Sequence, residues 1–374
     1  MQAESFAVVA NGFAEGPAQA LRDYLVEREA SVVMVSHPLT REDGTHHVIT
    51  RYERGAVVGE RRVRVPVRPP LSYLADPLVP VLPPRIDAWF GFNPLACARG
   101  LVARRLRRAR SVVLWSVDFV PDRFGPRTPA TRLYDRIDRL CCLRADARIE
   151  LSDSARDARI RRHALPPDSA PAHVVPMGAW LGRVPTTASD GFRQRRVVFL
   201  GHLVERQGVD TLLDALALLE DVSVDIVGTG PLEAQLRDRA RSLGLANVRF
   251  HGFVPDHRDV EHVLAESSLA VAPYRVRDET FTRYADPGKL KAYVAAGLPV
   301  VLTDVPPNAR ELEREAGAEI VPDDAAALAD AIWRGLAAPG RWRERRAAAL
   351  TYAQRFDWER LLGDALAKLR LSPR

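Results

Sequence analysis

Short apolar runs alternate with longer amphipathic segments along the first half of the chain. A short apolar, β-branched run predicts a buried strand, whereas apolar residues spaced three or four apart predict a helix. The predicted strands of this half are 6–10, 31–36, 86–92, 111–117 and 147–152. The predicted helices include 95–109 and 131–147, and residues 46–68 predict a hairpin or irregular strands. Strands that alternate with helices predict a parallel, doubly wound sheet.

The same alternation continues after residue 195 and is more regular there. The predicted strands are 196–203, 222–230, 248–253, 269–274, 299–305 and 318–322. The predicted helices are 208–219, 231–243, 258–266, 288–296, 308–314 and 324–336. The tail that begins "RWRERRAAALTYAQRFDWERLL" is expected to be helical to its end. In open parallel sheets, ligands bind beyond the carboxyl ends of the strands, so these edges are the first places to look for a site.

Residues 165–195 separate the two series and contain clusters of Pro, Ser, Thr and Ala, which are typical of a linker. A chain of 374 residues is long enough for about two domains. We therefore predict an α/β chain in three parts. They are an N-terminal Rossmann-like domain (1–178), a C-terminal Rossmann-like domain (179–353) and a C-terminal helix (354–374).

Composition restricts the class of partner. The formal net charge of +6 and a pI near 9.5 suit an anionic ligand or an anionic membrane surface. The sequence has no zinc-finger spacing and no aromatic-rich basic strand, so we expect no nucleic-acid partner. Three cysteines, two of them adjacent, make neither a disulfide framework nor a metal site, which favours a reducing cytoplasm. Neither a signal peptide nor a membrane span is expected.

The segment "DPGKLKAYVAAG" contains two of the chain's three lysines, Lys289 and Lys291. A helix that begins near Gly288 presents free backbone N–H groups and the positive end of its dipole, which favour an anion. A cation is normally unfavourable in a first helical turn, so Lys289 indicates an anionic ligand, although an ordinary solvated lysine is the alternative. Lys291 lies on a different face and is expected to be solvated.

Glycine turns and polar residues follow several predicted strands. Gly12 and Gly16 lie after the first strand and Gly228 after another, where each turn either admits a ligand or only satisfies backbone geometry. Asp118 follows "SVVLWSV", where a carboxylate can be a general base, a hydroxyl acceptor or simply a turn cap. His202 also follows a strand, so its imidazole could reach a phosphate or a sugar.

Charged residues cluster at two further places in the first half. The predicted helix 95–109 and its end carry arginines at 99, 104, 105, 107, 108 and 110. With apolar residues among them, such a face either lies on an anionic bilayer or is simply solvated. Asp122 and Arg123 are adjacent and are expected to pair with each other.

Three segments of the second half occur in a familiar order and spacing. They are "RVVFLGHLVERQGVDTLLDALALL", the stretch from "VDIVGTGPLEAQL" to "SSLAVAPY", and "KLKAYVAAGLPVVLTDVPPNARELE". Over about residues 195–355 the chain resembles the nucleotide-binding domain of GT-B glycosyltransferases, most of all glycosyltransferase family 4. The first half matches more loosely, through its glycine loop and "VDFVPDRF". The tail "YAQRFDWERLL" resembles the segment with which this fold crosses back onto the first domain.

The resemblance implies a GT-B architecture, with two Rossmann-like domains facing a cleft and a C-terminal helix that crosses back. It implies a nucleotide-diphosphate sugar, UDP- or GDP-linked, held mainly by the second domain, and an acceptor held mainly by the first. It implies no cofactor and no required metal. The residues implied to meet the nucleoside are Gly228, Phe253, Val254 and Pro255. The residues implied to meet the diphosphate are Gly12, His202, Arg206, Gly288, Lys289 and Leu290.

The sequence departs from the family pattern at positions that matter. The family usually has Arg and Lys where this chain has His202 and Gln207, with Arg206 adjacent. The family also has two glutamates where this chain has Tyr284 and Ala292. Neither of these can accept hydrogen bonds as a carboxylate does. Tyr284 and nearby Asp286 are therefore our predicted contacts to the donor sugar, and Asp278 and Glu279 are further nearby carboxylates.

These patterns predict a cytoplasmic glycosyltransferase, with peripheral contact to the inner face of the cell membrane as a further expectation. Its acceptor would be a lipid-linked glycan or a small metabolite. Lys289 would stabilise the leaving diphosphate, and Asp118 would act as the base of an inverting enzyme or orient the acceptor in a retaining one. The alternative from another class is a nucleotide-sugar-binding protein without transferase activity. A nicotinamide-dependent oxidoreductase is disfavoured, because no strand leads into GxGxxG.

Overall fold

The computed structural model describes residues 5–13, 15–39, 43–69, 71–74, 76, 79, 85–276 and 284–371. The chain divides into two compact units, each with its own sheet. The first unit comprises the chain through Pro176 together with the residues from Glu359 onward. The second unit comprises Met177–Trp358. The C-terminal segment therefore belongs to the first unit although it follows the second in sequence.

An eight-stranded sheet forms the first unit. Its strands are β1 (Ser5–Asn11), β2 (Ser31–His37), β3 (His46–Glu53), β4 (Ala56–Arg64), β5 (Ile86–Gly91), β6 (Ala109–Ser116), β7 (Ala147–Glu150) and β8 (Ala172–Val174). Their order is β4-β3-β2-β1-β5-β6-β7-β8. The strands pair in parallel except β3, which is antiparallel to both β2 and β4. The β3–β4 hairpin confirms the hairpin predicted within residues 46–68.

Four helices of the first unit connect these strands. They are α1 (Pro17–Glu27), α2 (Pro94–Arg105), α3 (Pro129–Arg144) and α4 (Asp153–His163). Side chains of Asn93, Thr128 and Ser152 accept backbone N–H groups at the starts of α2, α3 and α4. Such caps satisfy donors that a helix start otherwise leaves unpaired.

The sequence predicted one continuous helix over the arginine-rich segment after Pro94. The structure shows a shorter helix instead. α2 ends at Arg105, and Arg107 takes a left-handed φ of 57°, which turns the chain into β6. The arginines are divided accordingly. Arg99 donates to the backbone carbonyls of Asp76 and Val79, whereas Arg107 lies in the turn.

A six-stranded, fully parallel sheet forms the second unit. Its strands are β9 (Arg196–Leu200), β10 (Ser223–Val227), β11 (Val248–Gly252), β12 (Leu269–Ala272), β13 (Val300–Thr303) and β14 (Glu319–Val321), in the order β11-β10-β9-β12-β13-β14. The helices are α5 (Val209–Leu216), α6 (Glu233–Ser242), α7 (His257–Ala265), α8 (Gly288–Ala295), α9 (Ala309–Glu315), α10 (Ala325–Ala337) and α11 (Pro339–Ala353). Most of their apolar faces are buried against the two faces of the sheet, as the alternating pattern predicted.

Each sheet has one strand at which the strand order reverses direction. β1 lies between β2 and β5 in the first unit, and β9 lies between β10 and β12 in the second. In doubly wound sheets, ligands bind at the carboxyl ends of the strands next to this reversal. The loops after β1, β5, β9 and β12 are therefore the places where a site is expected.

The last helix, α12 (Trp358–Lys368), returns the chain to the first unit. Within that unit Glu359 forms an ion pair with Arg28, and Gly363 leaves room for the Tyr24 hydroxyl. Leu362 and Leu366 are buried, so the helix contributes apolar side chains to the interior. None of the helices in the described part of the chain is long and apolar enough to cross a membrane.

Candidate functional site

The loops at the carboxyl ends of β9 and β10 are held against each other by their backbones. Gly201 N–H donates to the Val227 carbonyl at 2.9 Å, and Gly228 N–H donates to the Gly252 carbonyl at 2.9 Å. Gly228 has a φ of 131°, and a Cβ at this position would collide with the Gly201 carbonyl. Only glycine adopts this backbone without strain. Glycine at position 228 thus allows this loop to pack directly against the Gly201 backbone.

Lys289 lies at the start of α8 and directs its ammonium towards the end of β9. Its Nζ donates to Gln207 Oε1 at 2.5 Å and lies 4.4 Å and 4.3 Å from the ring centroids of Phe199 and Tyr274. Burial, and then the nearby positive charge of Arg206, lower the pKa of Lys289 to about 7. No carboxylate is among the groups that shift its pKa. An enclosed ammonium of this kind gains stability when an anion binds beside it.

Two other predicted diphosphate contacts, His202 and Arg206, lie on the loop after β9 and differ in their exposure. His202 is exposed on the loop after β9, next to Gly201. Arg206 lies on the same loop, half-buried, and its backbone carbonyl accepts from Arg275 N–H at 3.0 Å. The structure therefore places Lys289 and Arg206 near each other, with His202 at the solvent side. Gln207 stands where the resemblance led us to expect a lysine. Its side chain is the direct hydrogen-bond partner of Lys289.

The start of α8 has no side-chain cap among the described residues. Gly288 packs closely against the Met177 side chain, because a Cβ at position 288 would lie 2.9 Å from Met177 Cε. Leu290 is fully buried, and its N–H donates to the Pro287 carbonyl at 3.1 Å. The Leu290 N–H is therefore already paired, and the N–H groups of Gly288 and Lys289 are better placed for an anion.

Lys291 is not solvated as predicted. Its side chain is only 3% exposed, its Nζ lies 3.4 Å from Asp286 Oδ1, and it stands 3.6 Å from the Phe356 ring centroid. Asp286 Oδ2 accepts the Met177 N–H at 2.7 Å. The helix face that the sequence assigned to solvent packs on α11 and the turn after it, which is why Lys291 is enclosed.

Asp286 was predicted to meet the donor sugar, and that role stays a prediction. Burial raises the pKa of Asp286, and the neighbouring Lys291 charge opposes this shift. Because both carboxylate oxygens already have partners, a structural role competes with sugar binding. Tyr284 is half-buried and lies three residues before Pro287, the residue that precedes α8. Asp278 and Glu279 lie outside the described residues.

The predicted nucleoside segment follows β11. Phe253 is 63% exposed and Pro255 is exposed, whereas Val254 packs against the apolar core. An exposed aromatic ring after a parallel strand can stack on a flat ligand such as a nucleobase. The structure thus presents Phe253 to solvent while Val254 anchors the segment.

Asp118 lies in the first unit, just after β6. Its Oδ1 accepts from Arg123 Nη2 at 2.5 Å, and a shallow surface depression lies beside it. The predicted Asp122–Arg123 pair is wrong, because Asp122 pairs with Arg162 at 2.7 Å instead. Asp122 itself has a left-handed φ of 54°, and its carbonyl accepts from Gly125 N–H in the same turn.

A buried ion network supports the Asp118 backbone, and sequence reasoning missed it. Arg159 Nη2 donates to the Asp118 carbonyl at 3.2 Å, and the same guanidinium pairs with Asp138 and with Glu150, the latter at 2.9 Å. The Asp138 carboxylate also meets His163 Nε2 at 2.8 Å. These residues come from α3, β7 and α4, so only their meeting in space reveals the network.

The glycine loop after β1 has a backbone that favours glycine and an N–H donor that is already paired. Gly12 has a φ of 105°, and its N–H donates to the His37 carbonyl at 2.8 Å. Phe13 beside it is 41% exposed. The predicted contact between Gly12 and a diphosphate therefore cannot use this N–H, and it stays a prediction.

Comparison with known proteins finds a family match within the second unit. Residues 194–338 match the family model described as "Glycosyl transferases group 1". Over 87 residues the chain is 42% identical to the D-rhamnosyltransferase WbpZ of Pseudomonas aeruginosa, covering 23% of this chain and 22% of that protein. Over 169 residues it is 30% identical to the O-antigen chain mannosyltransferase C of Escherichia coli, covering 42% and 41%. The chain thus spans less than half the length of these curated relatives.

Solved structures resemble the whole chain. Sucrose-phosphate synthase from Thermosynechococcus elongatus superposes with a TM-score of 0.71 at 18% identity, covering 98% of each chain. HepE from Anabaena, solved in complex with UDP, superposes with a TM-score of 0.66 at 17% identity, covering 98% of this chain and 99% of that one. Likeness at such identity establishes the fold, and the predicted fold class is confirmed. The chain therefore has the GT-B fold, and its residues 194–338 are similar to the glycosyl transferases group 1 family.

Proposed function

We propose that the protein is a glycosyltransferase that moves a sugar from a nucleotide-diphosphate donor to an acceptor hydroxyl. The observation that carries the proposal is the enclosed Lys289 ammonium at the carboxyl edge of the second sheet, beside an uncapped helix start. An NDP-sugar supplies the anion that such a site lacks. Two relatives support the choice of reaction by their names, a D-rhamnosyltransferase and an O-antigen chain mannosyltransferase.

The nucleotide is proposed to be UDP or GDP. Support for a uridine nucleotide comes from HepE, which was solved with UDP and with UDP-glucose. In our chain, Phe253 would stack on the base while the neighbouring backbone of Val254 and Pro255 meets its edge. Tyr284 and Asp286 are proposed to lie beside the donor sugar. The hydroxyl of Tyr284 can then donate or accept one hydrogen bond where a carboxylate would accept two.

The proposed mechanism uses Lys289 as the cation for the leaving group. As the bond between the anomeric carbon and the diphosphate oxygen breaks, negative charge grows on that oxygen. Lys289, the first N–H groups of α8, and the Arg206 and His202 side chains would stabilise this charge. A fixed cation in an enclosed site stabilises a developing anion by several kcal/mol, because it needs no reorganisation at that moment.

The acceptor hydroxyl forms the new bond to the anomeric carbon and must lose its proton. In an inverting reaction Asp118 would take that proton, and in a retaining one the leaving diphosphate would take it while Asp118 orients the acceptor. The Arg123 contact holds the Asp118 carboxylate in place. We propose a glycan, lipid-linked or free, or a small metabolite as the acceptor.

We also propose that the protein works in the cytoplasm with peripheral contact to an anionic membrane. Val102 and Leu106 on and after α2 are exposed to 59% and 64%. The surrounding exposed cations are Arg105, Arg107, Arg108 and Arg110. Apolar side chains ringed by arginine are typical of surfaces that rest on anionic lipid.

The test of this function combines binding with turnover. We expect UDP or GDP, or a sugar derivative of one of them, to raise the melting temperature, and the matching NDP-sugar to be consumed when an acceptor glycan is added. Lys289→Ala is expected to lower kcat/KM about 100-fold or more, since it removes a transition-state cation. Lys368→Ala, at an exposed lysine, is the matched control and should behave as wild type. Near-normal turnover by Lys289→Ala would refute the assignment.

One observation favours the rival function of nucleotide-sugar binding without transfer. Asp286, the carboxylate nearest the helix start in the described chain, is already paired with Lys291 and the Met177 N–H. A binding protein would show calorimetric affinity for UDP or GDP and neither hydrolyse nor transfer any sugar. Turnover with any acceptor excludes this rival.

A further inference from the structure

Three buried polar side chains of the first unit meet near the carboxyl edge of its sheet. His37 ends β2 and His47 is the second residue of the antiparallel β3. Because Ser36 pairs with Val48, these histidines form the next cross-strand pair. Asp76 reaches them from the segment that follows the 3₁₀ turn Leu71–Leu74. The three residues are 2%, 0% and 5% exposed.

The three side chains present one ligand atom each to a common point. His37 Nδ1 and His47 Nδ1 are 2.7 Å apart, and each lies 3.6 Å from Asp76 Oδ1. A point equidistant from these corners lies about 1.9 Å from each, close to the ~2.0–2.2 Å at which Zn²⁺ binds imidazole nitrogen and carboxylate oxygen. The two nitrogens would separate slightly to reach tetrahedral spacing. A metal ion therefore fits with small side-chain movements.

Without an ion, this cluster leaves buried polar atoms unsatisfied. The two imidazoles share one proton in their mutual hydrogen bond, and neither nitrogen is within hydrogen-bond distance of Asp76 Oδ1. Among the described residues, Asp76 Oδ1 and His47 Nε2 have no hydrogen-bond partner. A buried polar group without a partner destabilises the folded chain. A bound cation would satisfy the carboxylate oxygen and remove part of this cost.

The carboxylate is oriented by a second layer of amides. Asn11 Nδ2 donates to Asp76 Oδ2 at 2.9 Å, which leaves Oδ1 directed at the histidines. Asn93 Nδ2 in turn donates to Asn11 Oδ1 at 2.7 Å. Asn93 is itself fixed, since its Oδ1 caps α2. Outer partners of this kind hold metal ligands in position in metalloproteins.

The charges around the cluster both favour and oppose a cation. The Asp76 carboxylate attracts a cation held between it and the two imidazoles. The Arg99 guanidinium repels a second cation, but it donates to the backbone carbonyls of Asp76 and Val79 and leaves the ligand atoms free.

We propose that His37 Nδ1, His47 Nδ1 and Asp76 Oδ1 bind a divalent transition-metal ion, with Zn²⁺ as the best match. Two imidazoles and one carboxylate suit zinc better than magnesium or calcium, which prefer oxygen ligands alone. A water molecule can complete a tetrahedral shell. The ion joins β2 and β3 to the chain at Asp76, so it acts on the stability of the first unit. No step of sugar transfer passes through it.

The experiment uses the full chain, stripped with a chelator and then titrated with Co²⁺ and Zn²⁺. We expect one equivalent of Co²⁺ to produce visible d–d absorption of a tetrahedral site, Zn²⁺ to displace it, and Zn²⁺ to raise the melting temperature. His47→Gln and Asp76→Asn should each abolish stoichiometric binding. Asn11→Ala should weaken binding about 10- to 100-fold by releasing the carboxylate. The matched control is His46→Gln, because His46 is exposed on the same strand and should not matter.

The wild-type titration decides the question even if a variant fails to fold, which circular dichroism would reveal. Absence of d–d absorption and of any zinc-dependent shift in the wild-type melt would overturn the proposal. So would binding that persists unchanged in folded His47→Gln or Asp76→Asn, since another site would then hold the ion. In either case the cluster is a buried polar trio that stays metal-free.

Discussion

Two lysines separated by one residue have different environments in this protein. Lys289 meets the neutral amide of Gln207 and two aromatic rings, whereas Lys291 meets the carboxylate of Asp286 and the Phe356 ring. Only the second lysine therefore has a carboxylate partner. The pairing of Lys291 makes it structural, and the absence of a carboxylate at Lys289 among the described residues leaves it suited to an incoming anion.

The pKa of Lys289 makes nucleotide binding depend on pH. A bound diphosphate raises this pKa above about 7, so binding takes up a proton at higher pH. We expect the affinity for UDP or GDP to fall by up to about tenfold per pH unit above pH 7. Lys289→Met should remove this slope, whereas Lys368→Met should keep it. Titration calorimetry in buffers of different ionisation enthalpy measures both, and equal slopes in wild type and Lys289→Met would contradict the expectation.

The same pKa acts on the stability of the free protein with the opposite sign. The folded pKa of Lys289 lies below its ordinary value of 10.5, so the unfolded chain holds more protons between these values. This group's contribution to stability is therefore smallest below about pH 7 and rises towards pH 10.5. Urea unfolding of wild type and Lys289→Met should diverge least at the alkaline end. A difference that stays constant with pH would show that Lys289 keeps an ordinary pKa.

The Asp286–Lys291 pair makes a testable prediction about buried charge. Lys291→Met alone leaves the Asp286 carboxylate buried without its cation and should cost about 3–5 kcal/mol of unfolding free energy. Adding Asp286→Asn should restore most of the loss, because the amide oxygen can still accept the Met177 N–H. Denaturant unfolding of both single variants and the double variant measures the coupling. If the double variant were as unstable as the sum of the singles, the two side chains would not act as a pair.

At the scale of elements, the loops that follow parallel strands decide where the site lies. The loops after β9, β10 and β11 are tied by backbone hydrogen bonds through Gly201, Gly228 and Gly252. These contacts fix the carboxyl edge onto which α8 directs Lys289. The predicted helix over 288–296 agrees with α8 almost residue for residue, because Pro287 and Gly297 bound it.

Gly228→Ala tests the close contact between the first two of these loops. The new Cβ would collide with the Gly201 carbonyl and force alanine into a backbone region that glycine alone occupies. We expect a loss of at least about 2 kcal/mol of unfolding free energy together with weaker nucleotide binding. Gly244→Ala is the matched control, since Gly244 also has a positive φ but has open space around it. Equal stability of the two variants would show that the loops can separate without cost.

At the scale of the whole molecule, the chain is two Rossmann-like units with the last helix belonging to the first. Each unit has its own sheet and its own buried apolar core. The net charge is +6, and nearly all of the positively charged side chains are arginine. Arginine is less strongly hydrated than lysine and pairs readily with phosphate, which suits both an anionic ligand and an anionic membrane.

Vesicle flotation tests the proposed membrane contact. We expect the protein to float with anionic vesicles at low salt and to dissociate as salt is raised, because the attraction is electrostatic. Replacing Val102 and Leu106 together by serine should weaken flotation without changing the melt, since both side chains are exposed. The matched control replaces exposed Leu218 of the second unit by serine. Flotation that is equal with neutral and anionic vesicles, or absent with both, would remove the membrane proposal.

The amino-acid sequence alone was enough to predict the class of fold and the position of helix α8. Both depend on local patterns, namely short apolar runs, helix periodicity and the Pro-Gly pair before Lys289, which act within a few residues. The segments that resemble family 4 enzymes added the expected ligand. The end of α2 was missed, because a single left-handed residue, Arg107, turns the chain without changing the helical pattern around it.

Which charged groups pair with each other could be read from the tertiary structure alone. Lys291 with Asp286, Arg159 with Asp138 and Glu150, and Asp122 with Arg162 are pairs that no local pattern shows. The cluster of His37, His47 and Asp76 likewise exists only because an antiparallel strand and a distant segment meet at one edge of the sheet. Long-range packing brings such groups together and removes them from water, and burial then makes the partner of each charge matter.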